Sequence, residues 1–289
     1  KPFENNSTFD LFTGLVSLNI NNLRKITKVF RTENVVKTKN VTTVKTTITK
    51  ITKGICIPSC LVNLRRLYCS NSGISSIPNT LVNLVTLYCE NNDILVIPDT
   101  LVNLETLSCS KNKIESIPST LVKLKRLYCN SNKLRVLPST LQNLHDLYCS
   151  KNILSSIPSS FINLHRLHCS ENLLESIPDT FTVLDELHCD HNSITVIPDT
   201  FTSLRELYCS VNSISVLPDT FTNLRELYCA RNKLKKLPET LINLFILDCR
   251  YNNIVTVPGE YISLYQVDVR GNVPKTTILC VNNFETKLI

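Results

Sequence analysis

Apolar and polar positions along most of this chain repeat every 20 residues. Each unit reads L-x-x-L-x-C-x-x-N-x-I/L-x-x-I/L-P-x-T-L/F-x, with only small departures. The cysteine column consists of Cys69, Cys89, Cys109, Cys129, Cys149, Cys169, Cys189, Cys209, Cys229 and Cys249. A single unit cannot bury that many apolar side chains by itself. The period therefore predicts units that stack on one another as a solenoid.

The apolar positions around each cysteine alternate, which predicts a short β-strand in every unit. Leu107 and Cys109 are expected to point inward, and Thr106 and Ser108 outward, because successive strand residues face opposite sides. Parallel strands from successive units would then form a curved sheet on the concave side. The Ile-Pro or Leu-Pro pair that follows favours extended backbone, and 20 residues leave little room for a helix. The convex side is predicted to be extended or turn-like.

Two polar columns accompany the apolar pattern. An asparagine stands three residues after nearly every cysteine, as at Asn92 and Asn112, and the first full unit has Ser72 there instead. An amide donates and accepts at once, so this column is predicted to bridge buried backbone at the turn. A threonine two residues after most of the prolines, such as Thr120, is predicted to bond local backbone in the return turn.

The pattern L-x-x-L-x-C-x-x-N-x-I resembles the leucine-rich repeat, in the 20-residue form of bacterial effector proteins and giant-virus proteins. The resemblance covers residues 61–272, about 11 repeats, and implies a β-rich leucine-rich repeat solenoid. Bacterial ubiquitin-ligase effectors with similar repeats carry a catalytic domain after them. Residues 273–289 are predicted to be a C-terminal cap or tail and are too few for such a domain, so that activity is not transferred to this chain.

Residues 1–60 differ from the repeats in charge and composition. They hold ten lysines or arginines and three acidic residues, so they account for the whole net charge of +7. From Val35 to Thr52, valine or isoleucine alternates with threonine and lysine, which predicts β-strand. One interpretation is an N-terminal β cap over the open edge of the sheet. The other is a basic anchor that docks on an acidic surface.

The cysteines are predicted to be reduced core residues. Neighbours in a parallel ladder align their Cβ vectors side by side, which suits disulfides poorly. Reduced thiols predict an intracellular reducing compartment, the cytoplasm of a host or producing cell, or a virion. Cys56 and Cys60 lack a second ligand pair, so zinc is not predicted there. No apolar run reaches about 18 residues, so no transmembrane segment is expected.

Motifs for catalysis and cofactor binding are missing from the sequence. Among five glycines there is no phosphate-binding loop, and H-E-x-x-H and G-x-S-x-G do not occur. We expect no enzyme activity, no cofactor, no metal and no small-molecule substrate. Nucleic acid is not favoured either, because aromatic residues do not interleave with the basic ones.

The outward strand positions form the candidate partner-binding surface on the concave face. Tyrosine offers large, rigid area with a polar tip, as binding surfaces use, although the rings could equally serve to stack across strands. The predicted contact residues are Tyr68, Tyr88, Tyr128, Tyr148, His168, His188, Tyr208, Tyr228, Arg66, Arg126, Arg166, Glu186, Glu206 and Glu226.

All five histidines fall in three successive repeats, at His145, His165, His168, His188 and His191. Imidazoles in adjacent columns can bind a transition metal or change charge between about pH 5 and 8. However, ligands in a parallel ladder are expected to point the same way, whereas a metal site needs convergence. No metal site is therefore predicted at these histidines.

Taken together, the pattern predicts a non-catalytic scaffold that binds a protein partner through its concave face. Two alternatives belong to other classes. The second hypothesis is a structural component of a larger assembly, such as a giant-virus particle, that contacts viral structural proteins and is anchored by residues 1–60. The third hypothesis is a host-directed effector. The sequence does not name the partner, because one scaffold carries many unrelated recognitions.

Overall fold

The computed structural model describes residues 16–21, 35–38, 41–44, 56–272 and 277–278. Contacts divide the chain into two compact units, Lys1–Leu134 and Arg135–Ile289, called here the first and second unit. The described residues contain strands and turns but no α-helix. Within this part of the chain, no helix is long and apolar enough to cross a membrane.

The first unit is built on five parallel strands. Their order follows the sequence, and Leu67 pairs with Leu87, which precedes Leu107 and Leu127 in the same register. These strands are β1 (Ser17–Asn19), β4 (Arg66–Tyr68), β5 (Thr86–Tyr88), β6 (Thr106–Ser108) and β7 (Arg126–Tyr128). Separately, β2 (Val35–Thr38) and β3 (Val41–Val44) form an antiparallel pair. The pairing of β1 with β4 places a strand from residues 1–60 beside the first strand of the repeats.

The second unit has the same architecture, with seven parallel strands whose order follows the sequence. They are β8 (Asp146–Tyr148), β9 (Arg166–His168), β10 (Glu186–His188), β11 (Glu206–Tyr208), β12 (Glu226–Tyr228), β13 (Ile246–Asp248) and β15 (Gln266–Asp268). A short parallel pair joins β14 (Thr256–Val257) to β16 (Thr277–Ile278). The predicted parallel sheet is thus confirmed.

Each solenoid turn buries the predicted apolar positions. In the unit that begins at Leu101, Leu104, Leu107, Cys109 and Ile114 are all fully buried. All ten column cysteines are buried and unbridged, as predicted. The return segment after the proline is made of tight turns, in which Leu101 N–H donates to Pro98 O at 3.4 Å and Leu104 N–H to Leu101 O at 3.1 Å. Its turn-like character is confirmed as well.

The asparagine column bridges backbone, as predicted, and it joins two successive turns. Asn112 Nδ2 donates to the carbonyl of its own turn's Cys109 at 3.0 Å and to Cys89 O of the preceding turn at 2.9 Å. Its Oδ1 accepts the N–H of Ile94 at 3.0 Å. The same pattern recurs at Asn172, Asn192, Asn212, Asn232 and Asn252. One amide per turn therefore satisfies buried backbone groups that the short strands leave unpaired.

The threonine column acts differently from the prediction. Thr120 Oγ1 donates to Asp99 O at 2.6 Å and Thr200 Oγ1 to Asp179 O at 2.6 Å, in each case 21 residues earlier. In each case the acceptor is the carbonyl of the residue that follows the proline in the preceding turn. The threonines thus link successive return segments. A second amide column does the same, as where Asn103 Nδ2 donates to Val82 O at 3.0 Å.

Two positions after each column cysteine, a residue with positive φ turns the chain away from the strand. Ten of these residues are not glycine, and Val211 has φ 57°. The equivalent last position is Gly271, where an added Cβ would lie 2.3 Å from the Tyr251 ring. Backbone bonding holds the conformation, since Val211 N–H donates to Ala230 O at 2.8 Å. The left-handed column was not predicted, because its residue types vary freely from unit to unit.

We expect Val211→Asn to stabilise the protein by about 1 kcal/mol, because asparagine tolerates positive φ better than a β-branched residue. The shift in the urea midpoint measures this change. Val216→Asn is the matched control, since Val216 is exposed and does not have positive φ; it should change stability by less than about 0.5 kcal/mol. Equal midpoints for the two variants would contradict the left-handed assignment at Val211.

Candidate functional site

The predicted contact residues lie where expected on the strands. The tyrosines and histidines occupy the third position of each strand and are half-buried, while the arginines and glutamates occupy the first position. Thr106 and Ser108, which were also predicted to face outward, are instead nearly inaccessible to solvent. Longer neighbours cover them: Arg126 Nη2 donates to Thr106 Oγ1 at 3.0 Å, and Ser108 Oγ donates to Glu90. The outward face therefore includes short side chains that solvent does not reach.

In the first unit, aromatic rings stack across two neighbouring strands. The rings of Tyr68 and Tyr88 stack with centroids 5.3 Å apart and planes 17° apart. The next strand places Ser108 in this column, which has no ring to continue the stack. Tyr128 follows on β7 and is half-buried. This unit thus presents separate ring surfaces on its outward face.

The second unit carries five rings in contact along successive strands, which we call the ring stack; the first pair is tilted by 40° and the other three pairs are stacked. It consists of Tyr148, His168, His188, Tyr208 and Tyr228. Successive centroids are 4.1, 3.9, 4.0 and 4.4 Å apart along this order. These spacings are close to the 4.8 Å distance between neighbouring strands, so the strand ladder itself sets the stack. The stacking interpretation from the sequence is confirmed, and it is compatible with binding.

Carboxylates stand beside the ring stack at the first position of three strands. Tyr208 OH donates to Glu226 Oε2 at 2.9 Å. Burial, together with the charges of Glu186 and Glu226, raises the pKa of Glu206. Among the residues the structure describes, no lysine or arginine forms an ion pair with Glu206 or Glu226. Glu206 and Glu226 therefore present carboxylates beside aromatic rings, although Arg205 and Arg225 precede them in the sequence.

Glu186 lies between two imidazoles. Its Oε1 is 2.6 Å from His168 Nε2 and 3.1 Å from His188 Nε2. Burial lowers the pKa of His168, and burial with the nearby His168 lowers the pKa of His188 to about 4. Burial thus favours the neutral form of both rings. His188 Nε2 is shielded from solvent, and despite its distance to Oε1 its direction does not suit a hydrogen bond.

Potential metal-ligand atoms of three side chains converge, although ligands in a parallel ladder were expected to point the same way. The His168, Glu186 and His188 ligand atoms all lie within 4.8 Å of one another. Ligands of a single column do point the same way, but here the Glu186 carboxylate at the first strand position extends between two rings at the third position. The other histidines are separate from this cluster. His145 and His165 stack at 5.7 Å, with their Nδ1 atoms 2.9 and 3.0 Å from backbone carbonyls.

The thiols of the ten column cysteines are buried, whereas Cys56 is exposed and Cys60 is half-buried. Burial raises the pKa of Cys69 and of Cys249 to about 12. The thiolate is the nucleophilic form, so these buried thiols are inert near neutral pH. Their place in the molecule is the core, as predicted.

Comparison with known proteins agrees with the repeat pattern. The family model described as Leucine Rich Repeat matches residues 103–124, 123–144 and 203–224. No curated protein sequence matches the chain. The resemblance to giant-virus repeats therefore stays a prediction, as do the viral roles.

Three solved structures illustrate the similarity in fold. The plant peptide hormone receptor RGFR1 in complex with RGF2 is 26% identical, with TM-score 0.65 over 75% of this chain and 42% of that chain. A leucine-rich repeat protein of Leptospira interrogans is 26% identical, with TM-score 0.62 over 75% and 69%. The functional domain of InlJ from Listeria monocytogenes, which includes a cysteine ladder, is 26% identical, with TM-score 0.60 over 70% and 52%. The chain thus spans less than half of the receptor structure.

Proposed function

Because this chain is a leucine-rich repeat protein, we propose that it is a non-catalytic scaffold that binds a partner protein through the outward strand face of the second unit. Solenoids of this family are typical of protein–protein interaction domains, and most are binding scaffolds without catalytic activity. The observation that carries the proposal is the ring stack, five half-buried rings in contact on one accessible face. Its tyrosines supply rigid area, which costs little conformational entropy on binding.

The charge of this face indicates the chemistry of the partner. Glu206 and Glu226 lie on the same strands as Tyr208 and Tyr228. The negative charges of Glu186 and Glu226 act on Glu206. A lysine or arginine side chain laid across them would neutralise the carboxylates and contact the tyrosine faces. We therefore propose that the partner presents a basic segment to β11 and β12.

Selection of peptides from a random displayed library on the intact chain tests this proposal. Enriched peptides should contain lysine or arginine, and their affinity should fall about tenfold or more in Tyr228→Ala and in Glu206→Gln. Glu239→Gln and Tyr265→Ala are the matched controls, because both side chains are exposed and lie outside the ring stack. They should leave the affinity unchanged.

The alternative role, an assembly anchored by residues 1–60, makes the opposite prediction in the same assay. Selected ligands would be acidic, and replacing the lysines of residues 1–60 by glutamine would remove binding. Such substitution is a better variant than truncation, because β1 pairs with β4 and its removal would expose a strand edge. Binding that survives Tyr228→Ala and Glu206→Gln but not the glutamine variant would overturn the proposed site.

A further inference from the structure

The cluster of His168, Glu186 and His188 has the composition of a metal site. Two imidazole nitrogens and one carboxylate oxygen are the ligands that three-residue zinc sites use, with the fourth position left for water or another ligand. We propose that these three residues bind one divalent transition-metal ion of the class that prefers imidazole, with Zn²⁺ as the probe. Neither the repeat pattern nor the proposed partner binding requires such a site.

Distances support coordination by these atoms. A tetrahedral ion about 2.0–2.1 Å from each ligand separates the ligand atoms by about 3.4 Å. Glu186 Oε1 lies 2.6 Å and 3.1 Å from the two Nε2 atoms, and all three ligand atoms fall within 4.8 Å of one another. The carboxylate must therefore move away from each nitrogen by less than about 1 Å to admit an ion.

The orientation of the two imidazole rings determines which further side-chain movements metal binding requires. The His168 and His188 planes are only 10° apart, with centroids at 3.9 Å. Their Nε2 lone pairs run side by side, so an ion bonded to both requires each ring to rotate about its Cβ–Cγ bond toward Glu186. Rotation about this type of bond is soft. Tyr148 lies 4.1 Å from the His168 ring and Tyr208 lies 4.0 Å from the His188 ring, so these two tyrosine rings must shift when the histidines rotate.

An independent observation at His188 points to a missing ligand. Its Nε2 is buried yet has no hydrogen-bond partner within the described part of the chain. A buried polar atom without a partner is costly and uncommon in proteins. A bound ion would satisfy this nitrogen directly, whereas the ring stack alone leaves it unsatisfied.

Neighbouring charges allow a cation at this position. Arg166 Nε lies 3.7 Å from the other oxygen of Glu186, and its positive charge opposes the ion. However, Arg166 Nη1 also binds Asp146 Oδ1 at 3.0 Å, so that carboxylate offsets the guanidinium. With Glu186 itself, the site retains the negative charge that a divalent ion needs.

Titration of the intact chain with ZnCl₂, followed by calorimetry, tests the site. We expect one ion per chain, and His188→Gln and Glu186→Gln should each weaken binding about tenfold or more. His165→Gln is the matched control, because His165 also stacks on a histidine one turn away but has no carboxylate between the rings. It should change the affinity by less than about twofold.

CoCl₂ identifies the ligand atoms in the same proteins. Cobalt held by nitrogen and oxygen shows visible d–d bands without the near-ultraviolet sulfur-to-metal band, and the d–d bands should disappear in His188→Gln. Metal-free unfolding curves check that each variant is folded. Absence of binding at about 1 mM Zn²⁺, a millimolar-range affinity, would overturn the proposal, as would a sulfur band or an equal loss in His165→Gln. Peptide binding is measured separately with EDTA, so failure of either proposal is distinguishable.

Discussion

Replacing Asn172 by alanine is expected to lower the free energy of unfolding by about 3 kcal/mol, because several buried bonds are lost together. Its Nδ2 donates to Cys149 O at 3.1 Å and to Cys169 O at 3.0 Å. Its Oδ1 accepts the N–H of Leu154 at 3.0 Å. Alanine leaves that N–H without an acceptor in the core, where water does not replace it. Urea unfolding followed by circular dichroism measures the loss.

Asn163→Ala is the matched control for this prediction. Asn163 lies in the same turn of the chain, is exposed, and donates only to Gln142 O, at 3.0 Å. Its removal should cost less than about 1 kcal/mol, because water can bond the freed carbonyl. If both variants lost equal stability, the buried amide column would have no special role in joining the turns.

The sequence predicted those parts of the fold in which residue type determines position. The 20-residue period, the inward cysteines and the bridging asparagines each need a particular side chain at a fixed offset, so the pattern reveals them. Positive φ at Val211 and Glu171 was not predictable in this way, because backbone bonds to the next turn impose it on any residue. The predicted hydrogen-bond acceptor of the Thr120 hydroxyl was also wrong. Residue type alone does not show that a carbonyl of the preceding turn lies within reach of the hydroxyl.

The candidate site was predictable to a similar extent. Strand alternation placed His168 and His188 in one outward column, and the structure confirms that position. It did not show that Glu186 reaches between the two rings, because that contact joins different columns on neighbouring strands. Burial of Thr106 was missed for a related reason. Side-chain length, not direction, decides whether a residue beside Arg126 meets solvent.

Phe201→Ala is expected to cost about 3–5 kcal/mol, the range for a buried phenylalanine whose cavity cannot collapse. Phe201 is fully buried between the equivalent residues of adjacent turns, Phe181 and Phe221. Those neighbours are held by their own turns, so the core cannot close over the space that alanine leaves. Thermal or urea unfolding measures the loss.

Two further variants separate the cavity from a general effect of removing an aromatic ring. Phe201→Leu should cost less than about 1.5 kcal/mol, because leucine is close in volume and already fills this column at Leu141 and Leu241. Phe245→Ala should cost less than about 1 kcal/mol, since Phe245 is 47% exposed and stacks only on Tyr265. A leucine variant as unstable as the alanine variant would mean that ring shape, and not buried volume, holds these turns together.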